Sequence, residues 1–341
     1  MKKNLLAFAE QIGSLKLLQH VGNHIGHRIY VLAYHRVDEP ENRPWLNPDL
    51  ISATPAQFEE QMKLLATHYH PVSAEDVLQA LADDRPLPED AVMVTVDDGY
   101  RDFKDYVFPI ASKYGIKPVL FVPTAYAGDG KFWWDKLYYA TQHISEPFIT
   151  TPIGRLSLAT RAERGLSLQQ LTRYVKQSPS ELAMAVVDGL YNLSSPNGHH
   201  REPDTLTWDE LRDLAAQGVT IAAHTHTHPI LSKVSLETAR AEMRQSQKII
   251  QREIGNALPL FAFPDGKPAA FTSELIEALW QDGFQMVFTM IEGCARLNRD
   301  NLLCLPRLGI YSGLSLAQFH FHLTPPYTWL KGGASALGAG Y

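Results

Sequence analysis

Three histidines at alternate positions, His224, His226 and His228, lie in the stretch IAAHTHTHPIL. Imidazole is a common ligand for divalent metals, and two histidines with one carboxylate make a three-ligand set that leaves a position open for water. A single histidine is more simply a surface or core residue, so the run needs partners elsewhere. His224 and His228 are four apart, a spacing that puts two ligands on one face of a helix. A helix is disfavoured here. VTIAA before the run reads as a strand, threonine is β-branched, and Pro229 discourages helical geometry at His228. The expected setting is a strand end passing into a loop, and the pattern alone leaves open which of the three histidines act.

A source of carboxylate is TVDDG, where Asp97 and Asp98 end the apolar run AVMVTV. Two adjacent acids beside a low-dielectric core are costly unless a cation pairs with them. An ordinary Asp-Gly turn would explain the motif by itself. Gly99 permits a sharp turn, so the two acids need not point in opposite directions as they would in mid-strand. His35 stands directly after the apolar run RIYVLAY. These three sets each sit just past a candidate strand end, where the loops of parallel α/β folds collect active groups.

The elements that must position them follow one grammar. RIYVLAYHRV, AVMVTVDDGY, KPVLFVP, GVTIAAHTH, LPLFAFPDG, FQMVFTM and LPRLGI are short apolar runs, most of them ending in polar or turn residues. Between them lie helical patterns at 56–69, 74–82, 207–217, 235–254 and 272–282, with Thr54 and Ser73 as N-caps and Gly218, Gly255 and Gly283 as stops. Thr207 with Glu210 fits a capping box, which gives LTWDEL a structural explanation without catalysis. Strands alternating with helices predict an α/β fold with a mainly parallel sheet. Residues about 140–205 break this grammar and read as a helical insertion.

Composition narrows the classes. The 341 residues are 45% apolar, enough for a sizeable core, and carry 31 Lys plus Arg against 37 Asp plus Glu, a net charge of −6. With no basic run or tail, nucleic acid is excluded as an expected partner. Cys294 and Cys304 are too few for a disulfide framework and lack CxxC spacing. The N-terminus begins MKKN, but Glu10 interrupts its apolar run, which disfavours a cleaved signal, and no run reaches the roughly 18 residues of a membrane span. Leu5, Phe8, Ile12, Leu15, Leu18 and Ile25 recur at roughly helical spacing among Lys2, Lys3, Lys16 and Arg28. The favoured expectation is a helix packed on its own domain, the alternative a peripheral membrane contact. The division expected is an amphipathic segment at 1–28, one domain at 29–325 and a tail at 326–341. The expected location is cytoplasmic, with membrane association as the variant.

Taken together, TVDDGYRD, HTHTH, FAFPDG and YHRV resemble the motifs of the polysaccharide deacetylases, the NodB-homology or carbohydrate esterase family 4 group. The resemblance spans roughly residues 29–310, and QFEEQMKLL, TWDELRDLAAQG and LPRLGI look like the branch whose first strand ends in Tyr-His. It implies a distorted (β/α) barrel and metal-dependent removal of an N-acetyl group from an amino sugar, in the synthesis of a cell-surface polysaccharide, exopolysaccharide or glycolipid. By the resemblance, Asp97 is the general base, Asp98, His224 and His228 are the metal ligands, and His35 is the proton donor. His226 is left in the loop. Arg307 pairs with Asp97 and keeps it ionised. The implied metal is zinc, with cobalt, nickel or manganese as alternatives, and the implied partner is an N-acetylated carbohydrate. The segment after Pro264 supplies a backbone N–H for the oxyanion.

Two departures stand out. Val96 replaces the usual phenylalanine, a packing change. Asp265 stands where an aromatic often follows the proline, and a carboxylate there would hurt an oxyanion unless it points away or binds substrate. Trp133 and Trp134 in GKFWWDKLYY are candidates for stacking on a sugar ring, though such residues are more often core or loop anchors, and only one is expected to touch substrate. The rival readings are an O-acetyl esterase or deformylase using the same site, and a catalytically silent carbohydrate-binding protein. Binding alone would not require the acid and base.

Overall fold

The computed structural model describes residues 28–324 apart from 129, 195–203 and 298–301, together with Tyr327. The amphipathic segment expected at 1–28, apart from Arg28, and the tail at 326–341, apart from Tyr327, lie outside the described residues. No helix among the described residues is long and apolar enough to cross a membrane.

The described strands are, in chain order, β1 (Arg28–Tyr34), β2 (Arg36–Val37), β3 (Ile51–Ala53), β4 (His70–Pro71), β5 (Ala91–Val96), β6 (Val119–Val122), β7 (Phe148–Thr151), β8 (Gly154–Ser157), β9 (Thr220–Ala223), β10 (Leu260–Ala262), β11 (Met286–Phe288), β12 (Ala295–Arg296) and β13 (Leu308–Gly309). The main sheet runs β11-β10-β9-β6-β5-β1-β12, with β13 also pairing β1 and β4 pairing β5. Its pairs are parallel except β1–β12, which is antiparallel. All seven apolar runs read from the sequence form strands of this sheet.

Both faces of the sheet are buried, and alternation sorts them. Tyr30, Leu32 and Tyr34 of β1, Val92, Val94 and Val96 of β5, and Leu120 and Val122 of β6 pack against helices, Phe58 and Met62 of the helix Pro55–His68 among them. The intervening residues Ile29, Val31, Ala91, Met93, Phe121, Ala222, Ala262 and Phe288 form a second core on the other face. The sheet curls around that inner core as a distorted (β/α) barrel. Leu305–Gly309 spans its two ends: Leu305 exchanges backbone bonds with Val287 and Thr289 beside β11, while Leu308 registers with Leu32 of β1. Val96 is 1% exposed and sits in the outer core, so its replacement of phenylalanine is a matter of packing.

The helices start and stop where their caps dictate. Thr54, Ser73 and Thr207 each accept from the N3 backbone in full capping boxes, and Gly255 caps the helix Leu236–Ile254 at φ +84°. The insertion is built from the helices Trp133–His143, Arg161–Gln177 and Ser180–Leu193 and the β7–β8 hairpin. It has its own apolar cluster, including Leu137, Ile144, Leu158, Leu171 and Val187. Leu137 and Ala140 of the helix Trp133–His143 also belong to this cluster and not to the two cores of the sheet.

Candidate active site

The inward row of each strand, followed one step past the strand end, arrives at His35 after β1, Asp97 after β5, His224 after β9 and Pro264 after β10. The register Ile29↔Ala91, Val31↔Met93 and Ala33↔Thr95 puts the first two of these level with each other. Asp98 and Gly99 then turn at φ +75° and +72°, so that Asp98 leaves the strand direction and its carboxylate meets the histidine loop. A left-handed conformation at Asp98 costs energy that the surrounding contacts must offset, a feature typical of functional sites.

His224 Nδ1 lies 2.7 Å from the carbonyl of Ala262. A carbonyl only accepts, so Nδ1 carries the proton and Nε2 presents a lone pair. That Nε2 is 3.2 Å from His228 Nε2 and 3.7 Å from Asp98 Oδ1, and His228 Nε2 is 3.3 Å from the same oxygen. Burial pushes the His224 imidazole down to about 4, outweighing the pull of the Asp97 carboxylate, so it is neutral at pH 7. Burial alone would raise Asp98, but the His228 bond and the neighbouring imidazoles hold it low. One ligand atom from each of the three residues falls within 4.8 Å of the other two, and no other such group of His, Cys, Asp or Glu occurs among the described residues. A carboxylate oxygen and two imidazole nitrogens converging on one point fit a divalent cation in both charge and donor type.

His226 does not join this set. Its Nδ1 is 2.9 Å from Thr124 Oγ1, and its backbone N–H, with that of Thr227, donates to Glu242 of the helix Leu236–Ile254. Thr225 Oγ1 accepts the N–H of His228, and Thr225 and His228 both adopt positive φ, +67° and +57°. The loop is therefore not helical, and its tight curl brings the outer histidine back beside the inner one.

Asp97 faces the guanidinium of Arg307 in a two-pronged pair, Nη1 to Oδ1 at 2.8 Å and Nη2 to Oδ2 at 2.7 Å. Arg307 is fully buried and also donates to Thr95 Oγ1 at 3.1 Å and the Thr289 carbonyl at 3.0 Å. Burial would raise the Asp97 carboxyl, but the guanidinium overrides it and holds the acid well below the usual carboxylate range. His35 is half-buried, its backbone N–H donating to Ser52 Oγ at 3.0 Å. With Asp97, Asp98, His224 and His228 it lines a cleft of about 800 Å³.

A family model described as polysaccharide deacetylase matches residues 84–287, well over half of the chain. The chain belongs to the polysaccharide deacetylase family. It is 22% identical over 265 residues to Bacillus subtilis (strain 168) YxkH, covering 77% of this chain and 67% of that protein. A shorter stretch of 61 residues, 18% of this chain and 9% of the relative, is 41% identical to the poly-beta-1,6-N-acetyl-D-glucosamine N-deacetylase of Escherichia coli (strain K12). The fold is like that of the Streptococcus pyogenes deacetylase PplD solved in complex with acetate, with TM-score 0.58 and 20% identity over 87% of this chain and 99% of that one.

In this family member most of the remaining cleft wall comes from outside the four motifs. Trp133 and Trp134 both line the cleft, and Trp134 stands edge-on to His228 with ring centroids 4.9 Å apart. Its indole N–H donates to Tyr100 Oη at 2.7 Å, and Tyr100 donates in turn to Asp135 Oδ2 at 2.5 Å. Asp135 Oδ1 accepts the N–H of Asn47, so one buried acid ties the aromatic wall to the loop before β3. Burial raises that acid to about 7, Tyr100 and Asn47 only partly opposing it. Sequence reasoning missed Tyr100, Asp135 and Asn47, because nothing local marks them as a set. Pro264 is buried under the turn, while Asp265 and Gly266 follow at φ +59° and +54°. Asp265 does not face the site bare: Lys176 of the inserted helix Arg161–Gln177 donates to its Oδ1 at 2.5 Å.

Proposed function

We propose that the protein is a metal-dependent hydrolase that removes an N-acetyl group from an amino sugar in a polysaccharide, oligosaccharide or lipid-linked glycan. The observation that carries this reading is the closed set of Asp98, His224 and His228 donors in the same cleft as Asp97 and its guanidinium partner. A divalent ion held by that set, most simply zinc, supplies Lewis acidity, making water a better nucleophile and an acetyl carbonyl a better electrophile.

The chain's own residues do the rest. Asp97, kept ionised and oriented by Arg307, accepts the proton of the attacking water. The N–H groups of Asp265 and Gly266 have no partner among the described residues and supply donors for the oxyanion. An amine leaves only when protonated, and His35, on the strand end opposite Asp97 in register, gives that proton. One face of Trp133 or Trp134 packs against the sugar ring. An O-acetyl ester or a formamide would be opened by the same groups. A silent carbohydrate-binding protein would have no need of the acid, the base and the buried guanidinium together.

The test is acetate release by purified protein from monomeric, polymeric and lipid-linked N-acetyl sugars, with O-acetyl and N-formyl sugars alongside, each with and without chelator. Chelator-sensitive acetate release from an N-acetyl sugar supports the reading. Release confined to esters reassigns the substrate, and no release from any of them returns the silent binding protein.

A further inference from the structure

The Asp265 carboxylate sits on the residue whose N–H is offered to the oxyanion, in a turn held at positive φ. An uncompensated negative charge at that position would oppose the negative charge that builds on the substrate oxygen. The structure answers with a cation from a distant element: Lys176 belongs to the inserted helix, 89 residues away in sequence, and its ammonium meets Asp265 Oδ1 at 2.5 Å. Both partners line the same cleft as the metal-ligand set. The pair is partly open to solvent, Lys176 at 38% and Asp265 at 21% exposure. Ion pairs this open to solvent contribute little to folding, so stability is a poor reason for this one to be there.

We infer that Lys176 is a positioning residue of the active site: it draws the Asp265 carboxylate aside and neutralises it, so that the Pro264–Gly266 turn presents its N–H groups to an oxyanion. The inserted helical unit is thereby a working part of the site and not only one wall of the cleft. This rests on the deacetylase reading above.

The test uses the full-length, zinc-loaded protein and its Lys176→Met, Lys176→Arg and Lys176→Met/Asp265→Asn variants. Lys176→Met lowers kcat on the order of tenfold at low salt, the effect of one nearby unpaired charge at intermediate dielectric, with KM changed far less. The deficit shrinks as salt is raised toward about 1 M, where screening acts within about 3 Å. Lys176→Arg stays within about threefold of wild type, since a guanidinium also neutralises a carboxylate. Adding Asp265→Asn to Lys176→Met restores most of the lost rate, because the offending charge is gone; a helix merely loosened by the substitution would show no such recovery. Acetate affinity, followed by NMR titration, reads the same field without turnover: it weakens in Lys176→Met and recovers in the double variant. A Lys176→Met rate and acetate affinity within twofold of wild type, or no recovery in the double variant, overturns the inference. If wild type releases no acetate from any N-acetyl sugar, the deacetylase reading falls, while the acetate titration still decides whether Lys176 shields the site from Asp265.

Discussion

Replacing Arg307 by methionine is the most informative single perturbation of the barrel interior. The side chain is 0% exposed and makes four donor contacts, two to Asp97 and one each to Thr95 and Thr289. Methionine fills much of the volume but leaves the Asp97 carboxylate buried with no cation. Removing one partner of a buried ion pair costs about 3–5 kcal/mol, because the other charge stays desolvated. A domain holds only about 5–15 kcal/mol in total, so Arg307→Met is expected to lose roughly a fifth of its stability or more. Asp97→Asn strands the guanidinium and carries a cost of the same kind. The double variant Asp97→Asn/Arg307→Met strands neither, so it should recover roughly 0.5–3 kcal/mol relative to the sum of the two single losses. Urea unfolding of the metal-stripped forms, at one pH, measures all three. A loss under about 1 kcal/mol for Arg307→Met, below the range for a broken buried pair, or strict additivity in the double variant, would show that Asp97 and Arg307 are not coupled as a buried pair.

Three further outcomes follow from the site. Asp97→Asn should keep one metal ion per chain yet lose turnover by roughly two or more orders of magnitude, the worth of a general base; near-normal rates would remove that role. His226→Ala should leave metal stoichiometry unchanged, because its ring is engaged by Thr124 and gives no atom to the ligand set; a metal-free product would show the wrong pair was chosen. Asp135 is raised by burial to about 7 from an unfolded value near 3.8, so the folded state binds its proton more tightly and stability falls as pH rises through that window. Asp135→Asn should therefore gain on wild type between about pH 4 and pH 7, by up to about 1.4 kcal/mol per pH unit, and unfolding midpoints at both ends of the range check it.

The positions of His35, Asp97 and His224 were legible because each ends an apolar run whose alternation decides the inward row, and that row is a local property of the sequence. The exclusion of a helix at the histidine run was legible for a similar reason, since Thr225, Thr227 and Pro229 act within the run itself. Which way Asp98 would point was not legible from alternation, because it depends on a left-handed turn there. Lys176 gave no signal: on a polar helix it looks like any solvated lysine until tertiary packing lays that helix across the cleft. The Trp134–Tyr100–Asp135 chain is similar, joining three residues through side chains with no periodic signature. That Leu137 and Ala140 pack into a separate small core was equally hidden, because the partners that complete it lie farther along the chain.

The central claim is that Asp98, His224 and His228 hold one catalytic divalent ion. Metal-stripped protein titrated with zinc, with bound metal and acetate release measured on the same samples, tests it most directly. Activity should rise with occupancy to a plateau at one ion per chain, and Asp98→Ala, His224→Ala and His228→Ala should neither retain the ion nor recover the rate. Full acetate release from metal-stripped protein, or undiminished zinc binding in all three variants, would contradict it.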